Sequence, residues 1–171
     1  MKLLFAAAAL TIGLAGGAAA ACNRPDGAAG VEAELAAWIN SQRAGKGLGK
    51  LGLSEALQKA AQAHACDMAE RGYFAHEGPG GPGFKARIGK TGYGTAVENI
   101  AKTPHASADT TAGLWRRSSA HWANILNRGI AEMGVAVATN GKDVFYVFIG
   151  GGGEGPGPPV GWSGGVPPPP P

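Results

Sequence analysis

Helical patterning through the first two thirds of the chain, followed by two strand-like runs joined by a turn signal, predicts an α+β fold. Three observations carry that expectation. Val31, Leu35, Trp38 and Ile39 recur at helical spacing, and Leu57, Ala61, Ala65 and Met68 do the same. After Met133 the period changes, because Met133 to Thr139 and Val144 to Ile149 are rich in Val, Phe and Tyr. Asn140-Gly141 between those runs is a tight-hairpin signal.

The chain opens with Met1-Lys2-Leu3-Leu4-Phe5 and an Ala and Leu run to Leu14, and Ala18 to Ala21 offer small-x-small patterns. Residues 1–21 are therefore expected to be a cleaved secretion signal, too short for a permanent span and leaving no transmembrane anchor in the mature chain. A secreted or periplasmic location places Cys22 and Cys66 where a disulfide persists. Two fates stay open for Cys22: a bridge to Cys66, or a lipid anchor that makes the protein a membrane-anchored lipoprotein and leaves Cys66 a buried thiol.

Residues 22–30 are polar and small, a short lead-in. The first helix follows from Val31 and stops at Gly45-Lys46-Gly47. Ser54 suits an N-cap, Glu55 favours the first turn, and the second helix runs to Gly72. The loop Gly78-Pro79-Gly80-Gly81-Pro82-Gly83 holds no regular element, and Phe84 to Ile88 forms a short helical turn. A third helix is expected from about Ala108 through Trp115, and a shorter one from His121 to Leu126, before the hairpin. Residues 151–171, nearly all Gly and Pro with one Trp at position 162, are expected to be a disordered tail. Pro167 to Pro171 there would favour a polyproline docking strip.

The formal charge is +3, yet the basic residues are scattered and Arg116-Arg117 is their one adjacent pair, so the pattern argues against nucleic acid as a partner. No activated serine or cysteine nucleophile motif is apparent. The four histidines and one glutamate hold the chemical interest. His64 lies on the apolar stripe of the second helix and reads as a core residue. His105, in Thr103-Pro104-His105, has no partner in sequence and receives no role. His76, Glu98 and His121 each stand where an element meets a loop, the position at which binding groups are held yet reachable.

Five ordered pieces resemble the CAP (SCP-like extracellular) superfamily in its bacterial branch: Ile39-Asn40-Ser41-Gln42-Arg43, Leu57 through Ala69, Phe74-Ala75-His76, Glu98-Asn99-Ile100, and Trp115 through Leu126. Met133-Gly134-Val135 and the last strand complete a match over residues 31–150. The resemblance implies a three-layer α/β/α sandwich with a small antiparallel sheet. It also implies a cleft with His76 and His121 as its histidines, Glu98 as its first acid, and Ser118 in place of the second. Val97, Ser119-Ala120 and Trp122 depart from the family pattern at the cleft rim.

Two imidazoles and one carboxylate are a ligand set for a divalent metal such as zinc, although none is required, because the same three form a polar network. The expected function is a non-catalytic exported module that binds a lipid-like or sterol-like molecule, or a cell-envelope component, in the His/Glu cleft. The alternative is a hydrolase of peptide or envelope substrates in which Glu98, His76 and His121 do the work, with or without metal.

Overall fold

The structure, a computed structural model, describes residues 22–81 and 83–153. The expected secretion signal and the tail from residue 154 onward lie outside the described residues. The elements run α1 (Ala28–Ala44), β1 (Gly52–Leu53), α2 (Glu55–Arg71), α3 (Phe84–Gly89), β2 (Thr95–Thr103), α4 (Ala108–Arg117), α5 (Ser119–Ile125), β3 (Glu132–Thr139) and β4 (Val144–Gly152). No helix among the described residues is long and apolar enough to cross a membrane.

The second helix forms where its end signals place it. Ser54 Oγ accepts from the Leu57 amide at 3.4 Å, and Gly72 closes the helix in the left-handed region at φ 68°. The first helix starts three residues earlier than its apolar stripe suggests, at Ala28, so the lead-in is shorter than residues 22–30. The last short helix starts at Ser119 rather than His121, because Ser118 caps it: Ser118 Oγ accepts from the His121 amide at 3.4 Å.

Four strands form one sheet in the order β1-β3-β4-β2. β3 pairs antiparallel with β4 and β4 with β2, and the two-residue β1 adds a short parallel pair to β3. The sheet is therefore mixed, not purely antiparallel. Alternation along β3 and β4 divides the core into two halves. Val135, Val137, Tyr146 and Phe148 face Leu35, Ile39, Trp115 and Ile125 of α1, α4 and α5. Ala136, Ala138, Phe145, Val147 and Ile149 face Leu57, Ala61, Ala65 and Met68 of α2, and Ile88 of α3. Both faces of β4 are covered, which is why its sequence is a continuous apolar run instead of an alternating one. The expected α/β/α layering is what these two half-cores build.

Two expectations change at the strand ends. Residues Gly151 and Gly152 belong to β4, paired with Ala96 and Thr95, and are not the start of a tail. Glycine is needed there for space: a Cβ on Gly152 would lie 1.7 Å from the Gly129 carbonyl oxygen. The turn between β3 and β4 spans four residues rather than two, because Asn140 Oδ1 accepts from the amides of Lys142 (3.0 Å) and Asp143 (2.8 Å) and rounds the corner with its own side chain.

Beyond Met133, side chains and the lead-in seal the outer edge of β3. Gln58 bonds both the amide (3.0 Å) and the carbonyl (2.8 Å) of Val135, Glu32 Oε1 accepts from the Val137 amide at 3.0 Å, and the Asn23 carbonyl accepts from the Thr139 amide at 2.8 Å. At the opposite edge, Trp115 Nε1 donates to the Ile100 carbonyl and Asn124 Nδ2 to that of Glu98. Covered edges remove the template for unwanted strand pairing. Cys22 and Cys66 are disulfide-bonded, with Cα atoms 5.5 Å apart, and this ties the lead-in to α2.

Candidate functional site

Glu98 and Asn99 are neighbours on β2, and the pleat sends their side chains to opposite faces. Glu98 turns toward the α2 layer. There its Oε1 lies 2.8 Å from His76 Nδ1, and Arg87 Nη2 from α3 reaches both carboxylate oxygens, at 3.1 and 3.0 Å. His64 Nε2 stands 3.7 Å from Oε1, too far for a hydrogen bond. Asn99 turns toward α5, donating through Nδ2 to the His121 carbonyl at 2.9 Å and accepting from Asn124 Nδ2 at 2.9 Å. Adjacent residues of one edge strand thus carry the histidines of both layers.

The carboxylate of Glu98 is 2 % exposed and the His76 side chain 49 % exposed, so the pair has a buried anion and a solvent-facing ring. That bond to Glu98 is the largest influence on His76 and raises its pKa above the ordinary value. His64 is almost wholly buried, and neither ring nitrogen has a hydrogen-bond partner among the described residues. Burial pushes its pKa down, against the opposing pull of Glu98. Burial also lowers His121, with the nearby charge of His76 adding to the effect.

The segment bearing His76 is held from behind. Tyr73 donates its hydroxyl to Asp67, Arg71 reaches the Pro79 carbonyl, and Arg87 Nη2 donates to the His76 carbonyl at 2.8 Å. On the other layer, Arg43 of α1 is buried and donates through Nη1 to the carbonyls of Ile125 (2.9 Å) and Asn127 (2.8 Å), which fixes the end of the helix bearing His121.

Two cavities lie in succession along β2. One of about 330 Å³ is lined by His76, Glu77, Phe84, Ala96, Val97, Glu98 and Asn124. The other, of about 260 Å³, is mainly apolar and is bounded by Phe74, Ile100, Ala101, Lys102, Leu114, Ser118 and His121. Phe74 and Leu114 leave 46 % and 37 % of their surface in water at its rim. The four residues expected in the cleft are thus split, with His76 and Glu98 at the first cavity and Ser118 and His121 at the second. His105 lies in a loop away from both, contributing its carbonyl to Thr103 and Tyr146.

His64 and Arg87 are the site residues that the sequence reading did not select. The apolar stripe of α2 places His64 in the core, where it is buried, and it also faces Glu98. Among the described residues no three His, Cys, Asp or Glu side chains converge closely enough to hold a metal ion. Arg87 Nη2 moreover donates to both oxygens of the Glu98 carboxylate, so an ion there would compete with a guanidinium.

Helices packed on both faces of a small mixed four-stranded sheet are the architecture of an SCP-like domain. The chain belongs to the cysteine-rich secretory protein (CAP) family, whose model matches residues 37–150. It is 32 % identical over 128 residues to the uncharacterized protein YkwD of Bacillus subtilis (strain 168), covering 74 % of this chain and 49 % of that protein. It is also similar to an extracellular protein containing an SCP domain from Bacillus anthracis, at 26 % identity and a TM-score of 0.65, over 74 % of this chain and 41 % of that one. The chain therefore spans half or less of the length of both relatives. An outer surface protein of Borrelia burgdorferi shares the fold at 19 % identity and a TM-score of 0.70, over 78 % of this chain and 99 % of that one.

Proposed function

We propose that this protein is an exported, non-catalytic binding module that holds a small apolar or lipid-like ligand in the cavity between Phe74, Leu114 and His121, with the His76–Glu98 pair as a polar neighbour. One observation carries this reading. Two large apolar side chains remain half in water at the mouth of an apolar cavity, an arrangement that gains free energy when a ligand covers them. The clamp on Glu98 supports it from the other side, since a carboxylate bonded to a guanidinium through both oxygens is poorly placed to take a proton from water. Export is supported by the leader pattern of residues 1–21 and by the extracellular and outer-surface descriptions of the relatives. A Cys22 engaged with Cys66 has no thiol left for a lipid anchor, which favours a released protein.

The test is native mass spectrometry of the purified protein for co-purified lipid, followed by titration with a fluorescent fatty acid. Leu114→Asp should weaken probe binding about tenfold, while His76→Ala leaves it within about twofold. Equal binding by wild type and Leu114→Asp would remove the reading.

A second reading, a hydrolase, draws on one specific feature. His76 uses Nδ1 on Glu98 and leaves Nε2 facing solvent, the orientation in which a carboxylate-held histidine acts as a base. Turnover of peptide or cell-envelope fragments that His76→Ala abolishes would establish it. A zinc titration of the same two proteins tests the divalent-ion reading.

A further inference from the structure

The lead-in and its disulfide have no part in the cleft. Three contacts, one each to α2, β3 and α1, hold the lead-in beside the outer edge of the sheet. Cys22 is bonded to Cys66 of α2, the Asn23 carbonyl accepts from the Thr139 amide at 2.8 Å, and Arg24 pairs with Glu32 at 2.6 Å. Of these, the hydrogen bond is a single one and the ion pair is part-exposed, so neither alone holds the segment firmly. The covalent bond is what keeps the strap in place. Neither cysteine is fully buried, so a reductant can reach the bridge.

We propose that residues 22–27 are a redox-released strap, opened when a dithiol reductant exchanges with the Cys22–Cys66 bridge through Cys22. A thiolate of the dithiol attacks Cys22 Sγ, the S–S bond breaks, and Cys66 leaves as a thiolate. The second thiolate of the reductant then resolves the mixed disulfide at Cys22. Two electrons and two protons pass from the dithiol to the two cysteines, and the reductant becomes a disulfide. Gln62 sets the direction of exchange, since its Nε2 lies 3.2 Å from Cys66 Sγ and 3.9 Å from Cys22 Sγ. An amide donor on Cys66 stabilises that sulfur as the leaving thiolate, and better leaving groups leave faster.

The outcome is local because different elements hold the edge in sequence. Val135 is bonded to Gln58 of α2 and Val137 to Glu32 of α1, and both partners stay attached when the bridge opens. Thr139 loses its partner, and an uncovered strand donor is a template for pairing with another chain.

Amide exchange by NMR on the purified oxidised protein, before and after dithiothreitol, tests the strap. Thr139 should exchange about tenfold faster or more once reduced, with Val135 unchanged. Limiting glutathione, with the freed cysteine capped by iodoacetamide as it forms, traps the mixed disulfide and maps the attacked sulfur by peptide mass. The adduct is expected on Cys22, and Gln62→Ala should slow reduction about threefold. A Thr139 amide that stays protected in the reduced protein overturns the strap. So does a Val135 amide that opens in step with it, which would mean general unfolding, and an adduct found on Cys66 overturns the assigned direction.

Discussion

His76 Nδ1 and Glu98 Oε1 meet at 2.8 Å across the boundary between solvent and core, the ring half exposed and the carboxylate buried. The bond ties a loop residue to the middle of an edge strand. It also holds the histidine charged to a higher pH than it would reach alone.

Glu98→Gln removes the buried anion to which Arg87 Nη2 donates at 3.1 and 3.0 Å. Breaking one side of a buried pair costs about 3 kcal/mol. The His76 pKa should fall as well, because the negative charge that raises it is gone while the repulsion from Arg87 remains. Urea denaturation reads the first effect and an NMR titration of the His76 ring the second. A His76 titration curve unmoved by Glu98→Gln would mean that the pair does not form in solution.

The two histidines beside Glu98 act on stability in opposite directions with pH. His76 has a raised folded pKa, so its contribution is complete below the ordinary value near 6.5 and fades as pH rises through the folded value. His64 has a lowered one. Below about 6.5 the unfolded chain takes up a proton that the folded chain refuses, so stability is lost as pH falls from there toward the folded value. In His64→Leu that acid loss should shrink by up to about 1.4 kcal/mol per pH unit. Urea midpoints of the two proteins at neutral and mildly acid pH, compared pairwise, provide the check.

The sequence was most legible where local chemistry decides the outcome. Ser54 and Gly72 mark the ends of α2 because a cap and a left-handed residue are needed at those places whatever packs nearby. β2 was not legible: four consecutive residues, Glu98 to Ala101, are buried, so no alternation is visible. Gly151 and Gly152 resembled tail because glycine in a strand carries no β signal; only Gly129, Tyr93 and Leu57 pressing against them show why no side chain fits. At the site, His76 and Glu98 were legible through family resemblance. Arg87 was one scattered cation among many, and His64 obeyed the apolar stripe of its helix. Their role arises from the pleat of β2, which aims Glu98 at α2 and α3 and Asn99 at α5, and no linear pattern records that direction.

Gly134 permits the closest approach of α2 to the sheet. A Cβ there would stand 2.3 Å from the Gln58 nitrogen and 2.3 Å from the Leu57 carbonyl carbon, both backbone atoms that cannot step aside. Gly134→Ala should therefore destabilise by about 3 kcal/mol or more. Gly30 offers the contrast, an exposed helical glycine with nothing within 4 Å of its would-be Cβ. Gly30→Ala should stabilise by about 0.5 kcal/mol through the lower chain entropy of the unfolded state. Thermal denaturation of the two variants beside wild type should move in opposite directions.

Ser118 stands where the family resemblance places a second acid, at the junction of α4 and α5 and on the wall of the cavity that also holds His121. Ser118→Glu would set a carboxylate near an imidazole whose pKa is now lowered by burial and by His76. An anion on the same cavity wall favours the charged ring, so the His121 pKa should rise. The same change removes the hydroxyl that caps α5, with a cost of about 1 kcal/mol. NMR titration of the His121 ring, paired with urea denaturation, separates the two effects. A stability loss with no rise at His121 would place residue 118 outside the electrostatic reach of the cleft and make it a helix cap alone.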